Sequence, residues 1–142
     1  MAAISLSKAR TIIRKTLATG KEMGLKPLSA VVLDGGGHLI AFEREDGASP
    51  GRFEIAHGKA YGAVMLGMTG SQLRDRAEAQ AYFVAAVNGA YGGKVIPVPG
   101  GILIRDKRGA VIGAVGVTGD TSENDAAAGL AGVGSAGLIG EA

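Results

Sequence analysis

The chain has 142 residues, 46% of them hydrophobic, and its 15 lysines and arginines against 13 acids leave a formal charge of only +2. This length predicts one domain over residues 1–142, and the small, dispersed charge gives no reason to expect a nucleic-acid partner. The absence of cysteine excludes disulfides, thiolate nucleophiles and cysteine-ligated metals. With no leader-like segment or long apolar run, we expect a cytoplasmic protein without a membrane partner.

The N-terminal segment predicts an amphipathic helix. The apolar residues Ala9, Ile13 and Leu17 recur at helical spacing, so they share one face. Gly24 and Pro27 follow and supply a stop signal.

Two segments of similar design predict β-hairpins. Residues 28–44 turn at DGGG and residues 101–117 turn at DKRG. When Asp34 is aligned with Asp106, the last glycines of the two turns also align, and glycine accepts the positive φ that such turns require. Residues 28–33 are apolar on both faces, which indicates a central strand. We expect one antiparallel sheet of about four to five strands.

Helices fill the remaining segments. Residues 50–68 and 71–90 are predicted to be two helices, with Ser71 as the N-cap of the second. Thr121 or Ser122 caps a last helix that is rich in alanine and glycine. The order α-ββ-αα-ββ-α predicts an α+β fold in which helices flank an antiparallel sheet.

Three short motifs could indicate a functional site, but each is explained better by a role in the structure. GVGSAG, residues 132–137, matches GxGxxG in letters but lacks the strand and acid of a dinucleotide site, so we expect a frayed helix end and no nucleotide cofactor. GAYGGK, residues 89–94, lacks the first glycine and the hydroxyl residue of a P-loop, and we expect a mobile loop able to cover a pocket. Asp125, three residues after Ser122, is explained by a capping box.

The strongest candidates for chemistry lie in GRFEIAHGKAYGAV, residues 51–64. A spacing of four places Phe53, His57 and Tyr61 on one stripe of the helix. A single imidazole can ligate haem iron, serve as a general base or simply be half-buried in packing. Neither histidine has a carboxylate at zinc-motif spacing, so no motif predicts a metal ion.

Charged residues near this stretch extend the candidate site. Arg44 and Arg52 flank the start of the helix, where two guanidinium groups would suit a carboxylate of haem or of a small organic acid. Lys59 is a second candidate base. Glu54, on another face of the helix, and His38, just past the first turn, complete the candidate ligand-binding residues.

Small residues at a spacing of four surround His57. Gly58 and Gly62 form one such pair and Ala56 and Ala60 form another. These pairs permit close backbone approach, either within the subunit or across an oligomer interface.

The sequence also resembles a known family. AVVLDGGGHLIAFEREDGA, IAHGKAYGAV and GGILIRDKRGAVIGAVGVTGDTSENDAAAGLAG are similar, in order and spacing, to the GlcG/HbpS-type domain that also occurs at the C-terminus of PduO proteins. The resemblance covers roughly residues 5–135. The positions that recur in the family correspond here to Asp34, Gly37, Phe42, Arg44, Asp46, Gly47, Lys59, Ala60, Gly101, Gly113, Gly116, Val117, Gly119 and Asp125.

The resemblance implies a profilin-like α+β fold, assembly into homo-oligomers that are commonly octamers, and, in several members, binding of haem. Members also occur beside genes for the catabolism of small acids and diols, which leaves room for an enzyme. This chain departs from the family pattern in a longer path, NGAYGGKVIPVP, and in His57, where many relatives carry a different residue.

Our leading hypothesis is a small-ligand-binding protein that takes haem or another tetrapyrrole, with His57 as the iron ligand. Its pocket is expected near the second helix, residues 44–47 and the long loop. The alternative is a cofactor-independent enzyme acting on a small carboxylate-bearing metabolite, in which His57 or Lys59 is the acid/base and Arg44 or Arg52 holds the carboxylate. A third hypothesis is an oligomeric scaffold.

Overall fold

The computed structural model describes residues 3–142. Its elements in chain order are α1 (Leu6–Glu22), β1 (Ser29–Asp34), β2 (Leu39–Arg44), α2 (Arg52–Leu66), α3 (Gly70–Ala79), α4 (Ala81–Ala90), β3 (Gly101–Arg105), β4 (Val111–Thr118), α5 (Ser122–Ser135) and β5 (Ile139–Glu141). The predicted α+β class and order of elements are confirmed, with β5 added at the end. Over the described residues, none of the helices has the length and apolar character needed to span a bilayer.

The strands form one antiparallel sheet in the order β2-β1-β4-β3-β5. Strand β1 lies between β2 and β4, and its first five residues are buried, as its two apolar faces predict. The two hairpin turns are equivalent: the Gly37 N–H donates to the Asp34 carbonyl at 3.0 Å, and the Gly109 N–H donates to the Asp106 carbonyl at 3.0 Å. Both glycines have positive φ, at 81° and 85°, which confirms the alignment of the two turns.

Helices cover both faces of the sheet. Helices α1 and α5 pack against one face, and α2 packs against the other. The larger core, on the α1/α5 side, is formed by Ile4, Ala9, Ile12, Ile13, Leu28, Ala30, Val32, Ile102, Ile104, Ile112, Val115, Val117, Ala128 and Val133. The smaller core, on the α2 side, is formed by Val31, Leu33, Ala56, Ala60, Ala63, Leu103 and Ala114.

The α2 backbone lies directly on the sheet because two glycines leave room for it. Gly101 of β3 and Gly116 of β4 are cross-strand neighbours. A Cβ atom at Gly116 would collide with the Ala56 carbonyl, and one at Gly101 would collide with the Lys59 carbonyl. Side chains at these two sheet positions would therefore push α2 outward.

Two predicted helix details are wrong. Thr69, and not Ser71, caps α3: the Gln72 N–H donates to the Thr69 hydroxyl at 3.1 Å, and the Thr69 N–H donates to the Gln72 side chain at 2.9 Å. This reciprocal capping box satisfies two N–H groups that a Ser71 cap would leave unpaired. The segment 71–90 is also two helices, since the backbone leaves helical geometry at Gln80, with φ −142° and ψ 67°.

The glycine-rich end of α5 is an ordered contact and not the predicted frayed end. Helix α5 continues to Ser135, and Gly132 lies against the Ile12 carbonyl and the Thr16 side chain of α1. The hydroxyl of Thr16 is itself buried and donates to the Ile12 carbonyl at 2.7 Å. Gly132 is therefore the residue that lets α1 and α5 approach each other.

A matched pair of glycines tests this contact. Gly132→Ala should destabilise the fold by about 1–3 kcal/mol because the new methyl group overpacks the helix contact. Gly134→Ala, in the same helix with open space around its Cβ position, should stabilise the fold by about 0.4–1 kcal/mol. Chemical denaturation measures both free energies of unfolding. If both variants were stabilised equally, the described contact would be wrong.

Candidate functional site

An aromatic strip runs along α2 above the edge strand β2. It consists of Phe42, Phe53, His57, Tyr61 and Tyr91. Successive ring centroids lie 5.0, 5.6, 5.3 and 6.0 Å apart, and the imidazole of His57 is stacked on Tyr61 at an interplanar angle of 22°. The predicted shared stripe of Phe53, His57 and Tyr61 is confirmed, and strand β2 and the loop after α4 add a ring at each end.

Local structure explains how the strip is assembled. Phe53, His57 and Tyr61 are four residues apart on α2, so about 12 Å separates the first from the last along the helix axis. Phe42 pairs with Val31 on the face of the sheet that α2 covers. The Tyr61 ring lies beside Gly37 in the turn between β1 and β2, since a Cβ atom added to that glycine would come within 3.2 Å of it. The strip therefore extends from the middle of β2 to that turn.

The electrostatic surroundings of His57 favour its neutral form. The side chain is half-buried in the strip. Burial lowers the pKa of His57 below its usual value of 6.5, and the positive charge of Lys94 lowers it further. The Lys94 Nζ atom lies 5.6 Å from the centroid of the Tyr61 ring. At neutral pH the imidazole therefore has a nitrogen lone pair available for a metal or a proton.

The two arginines do not meet on the strip. Arg44 ends β2 two residues after Phe42, so the strand period places it on the same face, at the end far from the turn. Arg52 binds elsewhere: its Nη1 donates to the Thr118 hydroxyl at 2.8 Å and its Nε donates to the Ser49 hydroxyl at 3.0 Å. Arg44 also lines a groove with Glu43, Glu45 and Asp46, and Arg52 is directed toward β4.

The remaining surface candidates lie away from the rings. Glu54 is exposed on the first turn of α2. His38 is exposed in the first hairpin turn, where its Nδ1 lies 3.1 Å from the Asp34 carboxylate. Asp34 also accepts the His38 N–H at 2.9 Å. These contacts account for His38 as part of the turn.

Lys59 forms a buried ion pair that the sequence did not predict. Its side chain is only 3% exposed, and its Nζ donates to the Val117 carbonyl at 2.8 Å and to the Asp125 carboxylate at 3.2 Å. The other oxygen of Asp125 accepts the Asp120 N–H at 2.9 Å. Burial lowers the pKa of Lys59 and raises the pKa of Asp125, and in each case the opposite charge of the partner counteracts the shift.

This pair corrects the interpretation of Asp125 as a capping residue. Thr121 is the N-cap of α5 and accepts the Asn124 N–H at 3.2 Å, while Asp125 points into the protein. The one available signal was that Lys59 and Asp125 both fall on positions that recur in the family. Because the Lys59 ammonium is enclosed and paired, its placement does not favour a role as the acid/base of an enzyme.

The small residues of α2 serve packing within the chain. Gly58 lies against Ile96, and Gly62 lies against Val95. The Ile96 N–H also donates to the Gly58 carbonyl at 3.1 Å, and the Val95 N–H donates to the Asn88 side chain at 2.9 Å. We expected the loop after α4 to be mobile and able to cover a pocket. In the structure its residues Val95 and Ile96 pack against α2, and Ile96 is also hydrogen-bonded to it.

Two surface grooves lie outside the row of rings, and Arg44 lines the first of them. One, of about 450 Å³, is lined by Leu17, Lys21, Leu25, Pro27, Glu43, Arg44, Glu45 and Asp46. The other, of about 560 Å³, is lined by Ala3, Ile4, Asp34, Gly35, Gly36, Ile40, Ala110, Val111 and Ile112. Neither groove is lined by a residue of α2, although the first includes part of the segment 44–47 where a pocket was expected. Within residues 3–142, His, Asp and Glu side chains form no cluster of three that could hold a metal ion.

Comparison with known proteins identifies the family. The sequence matches the family described as "Haem degrading protein HbpS-like" over residues 4–134, which is nearly the whole chain. The chain belongs to this family, as its resemblance to the GlcG/HbpS-type domain predicted. Among curated proteins, none matches the sequence.

Solved structures share the fold over almost their full lengths. The PduOC complex with haem is 21% identical, with a TM-score of 0.85 and coverage of 96% of this chain and 97% of that chain. A double mutant of HbpS from Streptomyces reticuli is 27% identical, with a TM-score of 0.81 and coverage of 94% and 87%. The ORFY protein from Klebsiella pneumoniae is 22% identical, with a TM-score of 0.84 and coverage of 96% and 93%.

The contact between Lys94 and the strip predicts the titration of His57. In Lys94→Met the pKa of His57 should rise, because a positive charge that disfavours protonation has been removed. Lys15→Met, on α1 at the opposite face of the sheet, removes the same charge and should leave the pKa of His57 unchanged. Titration of the imidazole by NMR measures both, and an unchanged pKa in Lys94→Met would contradict the described geometry.

The buried ion pair predicts non-additive stability. Asp125→Ala should cost about 3–5 kcal/mol, because it leaves the Lys59 ammonium buried and unpaired. The double variant Lys59→Met/Asp125→Ala should be more stable than the single one, since the stranded charge is gone. Asp75→Ala, which removes an ion pair with Arg74 whose Asp75 side chain is 69% exposed, is the control and should cost about 1 kcal/mol or less. A double variant no more stable than Asp125→Ala would count against the pair.

Proposed function

We propose that this protein binds haem or a related tetrapyrrole on the aromatic strip, with His57 as the iron ligand. The proposal rests mainly on the position of one side chain. A half-buried imidazole lies between Phe53 and Tyr61, with ring centroids 5.6 and 5.3 Å away. An imidazole nitrogen is a common protein ligand for haem iron, and the flanking rings offer apolar surface to a flat aromatic molecule.

The residues of the strip fit such a ligand in their chemistry. Only a neutral imidazole can bind a metal, and the lowered pKa of His57 keeps it neutral at physiological pH. Along the strip, Phe42, Phe53 and Tyr91 provide stacking or edge contacts without adding charge. The strip is therefore a better match for a conjugated macrocycle than for a small, strongly hydrated metabolite.

The acidic side chains of a tetrapyrrole need a cationic partner, and Arg44 is the candidate for this role. It lies at the far end of β2 on the face that carries Phe42. A guanidinium can accept a carboxylate through two parallel hydrogen bonds. Arg52, which is held by the hydroxyls of Ser49 and Thr118, adds positive charge at the start of α2.

Bound haem would supply a redox-active iron centre. The contribution of this chain is to bind and orient: His57 would hold the metal, the rings would exclude water from one face of the macrocycle, and Arg44 would fix its direction. Membership in a family described as haem-degrading and the similarity to a fold solved in complex with haem support the proposal.

Haem titration followed by visible absorption tests the proposed function. The native protein should give a Soret band that saturates at one haem per chain. His57→Ala should weaken binding by at least about tenfold, the lower range for loss of groups that support a metal ligand, and should change the spectrum of the iron. The other histidine provides the control, since His38→Ala, in the exposed turn, should bind as the native protein does. The absence of a Soret band with native protein, or identical spectra for native protein and His57→Ala, would refute the proposal.

A further inference from the structure

The outer half of α4 is apolar although it faces solvent. A turn of 100° per residue places the exposed residues of this helix on one half of its circumference, and these are Ala81, Tyr82, Ala85, Ala86, Gly89 and Ala90. The solvent-facing half of a helix ordinarily carries charged or polar side chains. We propose that this half, which we call the α4 face, binds the same face of a second copy of the chain, with the two helices antiparallel.

The chain itself leaves the α4 face uncovered. Within residues 3–142, α3 is the one helix or strand that packs extensively against α4, and Val84 is the one residue of α4 that is buried. Tyr82 is 73% exposed, more than any other large hydrophobic side chain that the structure describes. Residues 79–93 contain no charged side chain. A helix that is apolar on every side is typical of a buried position, so α4 lacks a second packing partner within its own chain.

The shape of the α4 face is complementary to itself. Tyr82 is the one large side chain of the face and lies near its N-terminal end. Gly89 lies near the C-terminal end and has open space around its Cβ position. With a twofold axis between Ala85 and Ala86, antiparallel helices would place each tyrosine over the glycine of the other copy. A twofold interface consists of such reciprocal contacts, and the alanines between them permit close approach of the two helices.

The charges that flank α4 fit the same arrangement. Glu78 precedes the uncharged segment and Lys94 follows it, and both side chains are exposed. Over the part of the chain that the structure describes, neither has an ion-pair partner within 4.0 Å. Arg76, a nearby cation, is turned onto the Phe83 ring, 4.1 Å from its centroid. Antiparallel helices would bring Glu78 of each copy beside Lys94 of the other, whereas parallel helices would place like charges together.

Sedimentation velocity of the native protein and three variants tests the interface. The native protein should form a dimer or a larger even-numbered assembly. Ala85→Glu should reduce the number of subunits per assembly to half or less, because two carboxylates would be buried beside each other. Tyr82→Ala should weaken association by at least about tenfold, as loss of an interface tyrosine commonly does. Ala18→Glu replaces an exposed alanine on the charged face of α1, and this control should associate as the native protein does.

Charge reversal tests the antiparallel direction of the helices. Glu78→Lys and Lys94→Glu should each weaken association by about twofold to thirtyfold, because an exposed attraction that the symmetry repeats becomes a repulsion. The double variant Glu78→Lys/Lys94→Glu should regain the native affinity. These positions are exposed, so the variants should remain folded, which circular dichroism checks.

Three results would overturn the proposal. A monomeric native protein would show that the α4 face does not bind a second copy. Native association in both Ala85→Glu and Tyr82→Ala would place the interface elsewhere. A double charge reversal that associates no better than the single ones would contradict the antiparallel arrangement. None of these results depends on haem binding, since all the measurements use the protein without ligand.

Discussion

The buried pair of Lys59 and Asp125 is the interaction on which the arrangement of the site depends. It joins α2 to α5 and, through the Val117 carbonyl, to the end of β4. Desolvation of the two charges is costly, and their attraction and hydrogen bonds compensate only when the geometry is maintained. The pair therefore contributes to the position of α2, and α2 carries three of the five rings of the strip. A residue that we first considered as a base instead stabilises the helix that presents His57.

Close packing of backbone against backbone complements this ion pair. Gly101 and Gly116 form a flat patch on the sheet where the carbonyls of Ala56 and Lys59 rest. Because the backbone of α2 is in direct contact with the sheet, the side of the helix that faces the sheet carries only small side chains and Lys59. The larger rings of Phe53, His57 and Tyr61 are left at the side, above β2. The shape of the strip thus follows from the absence of side chains beneath the helix.

Local patterns in the sequence predicted the hairpins, the central strand and the shared stripe of Phe53, His57 and Tyr61, because turn chemistry and periodicity determine these features over a few residues. The ion pair escaped prediction because Lys59 and Asp125 are 66 residues apart and only the fold brings them together. Arg52 was assigned to a carboxylate for a similar reason: nothing in its neighbours along the chain reveals the hydroxyl of Thr118. Which residues share one face of a helix was predictable, whereas their partners across the sheet were not.

The proposed ligand site is the aromatic strip and neither groove, and NMR of the protein titrated with a diamagnetic porphyrin tests this most directly. Zinc protoporphyrin should produce large ring-current shifts at the side chains of Phe53, His57 and Tyr61, with smaller ones at Phe42 and Tyr91. Shifts concentrated instead at Leu17 and Leu25 or at Ile40 and Ile112, with the strip unaffected, would contradict it.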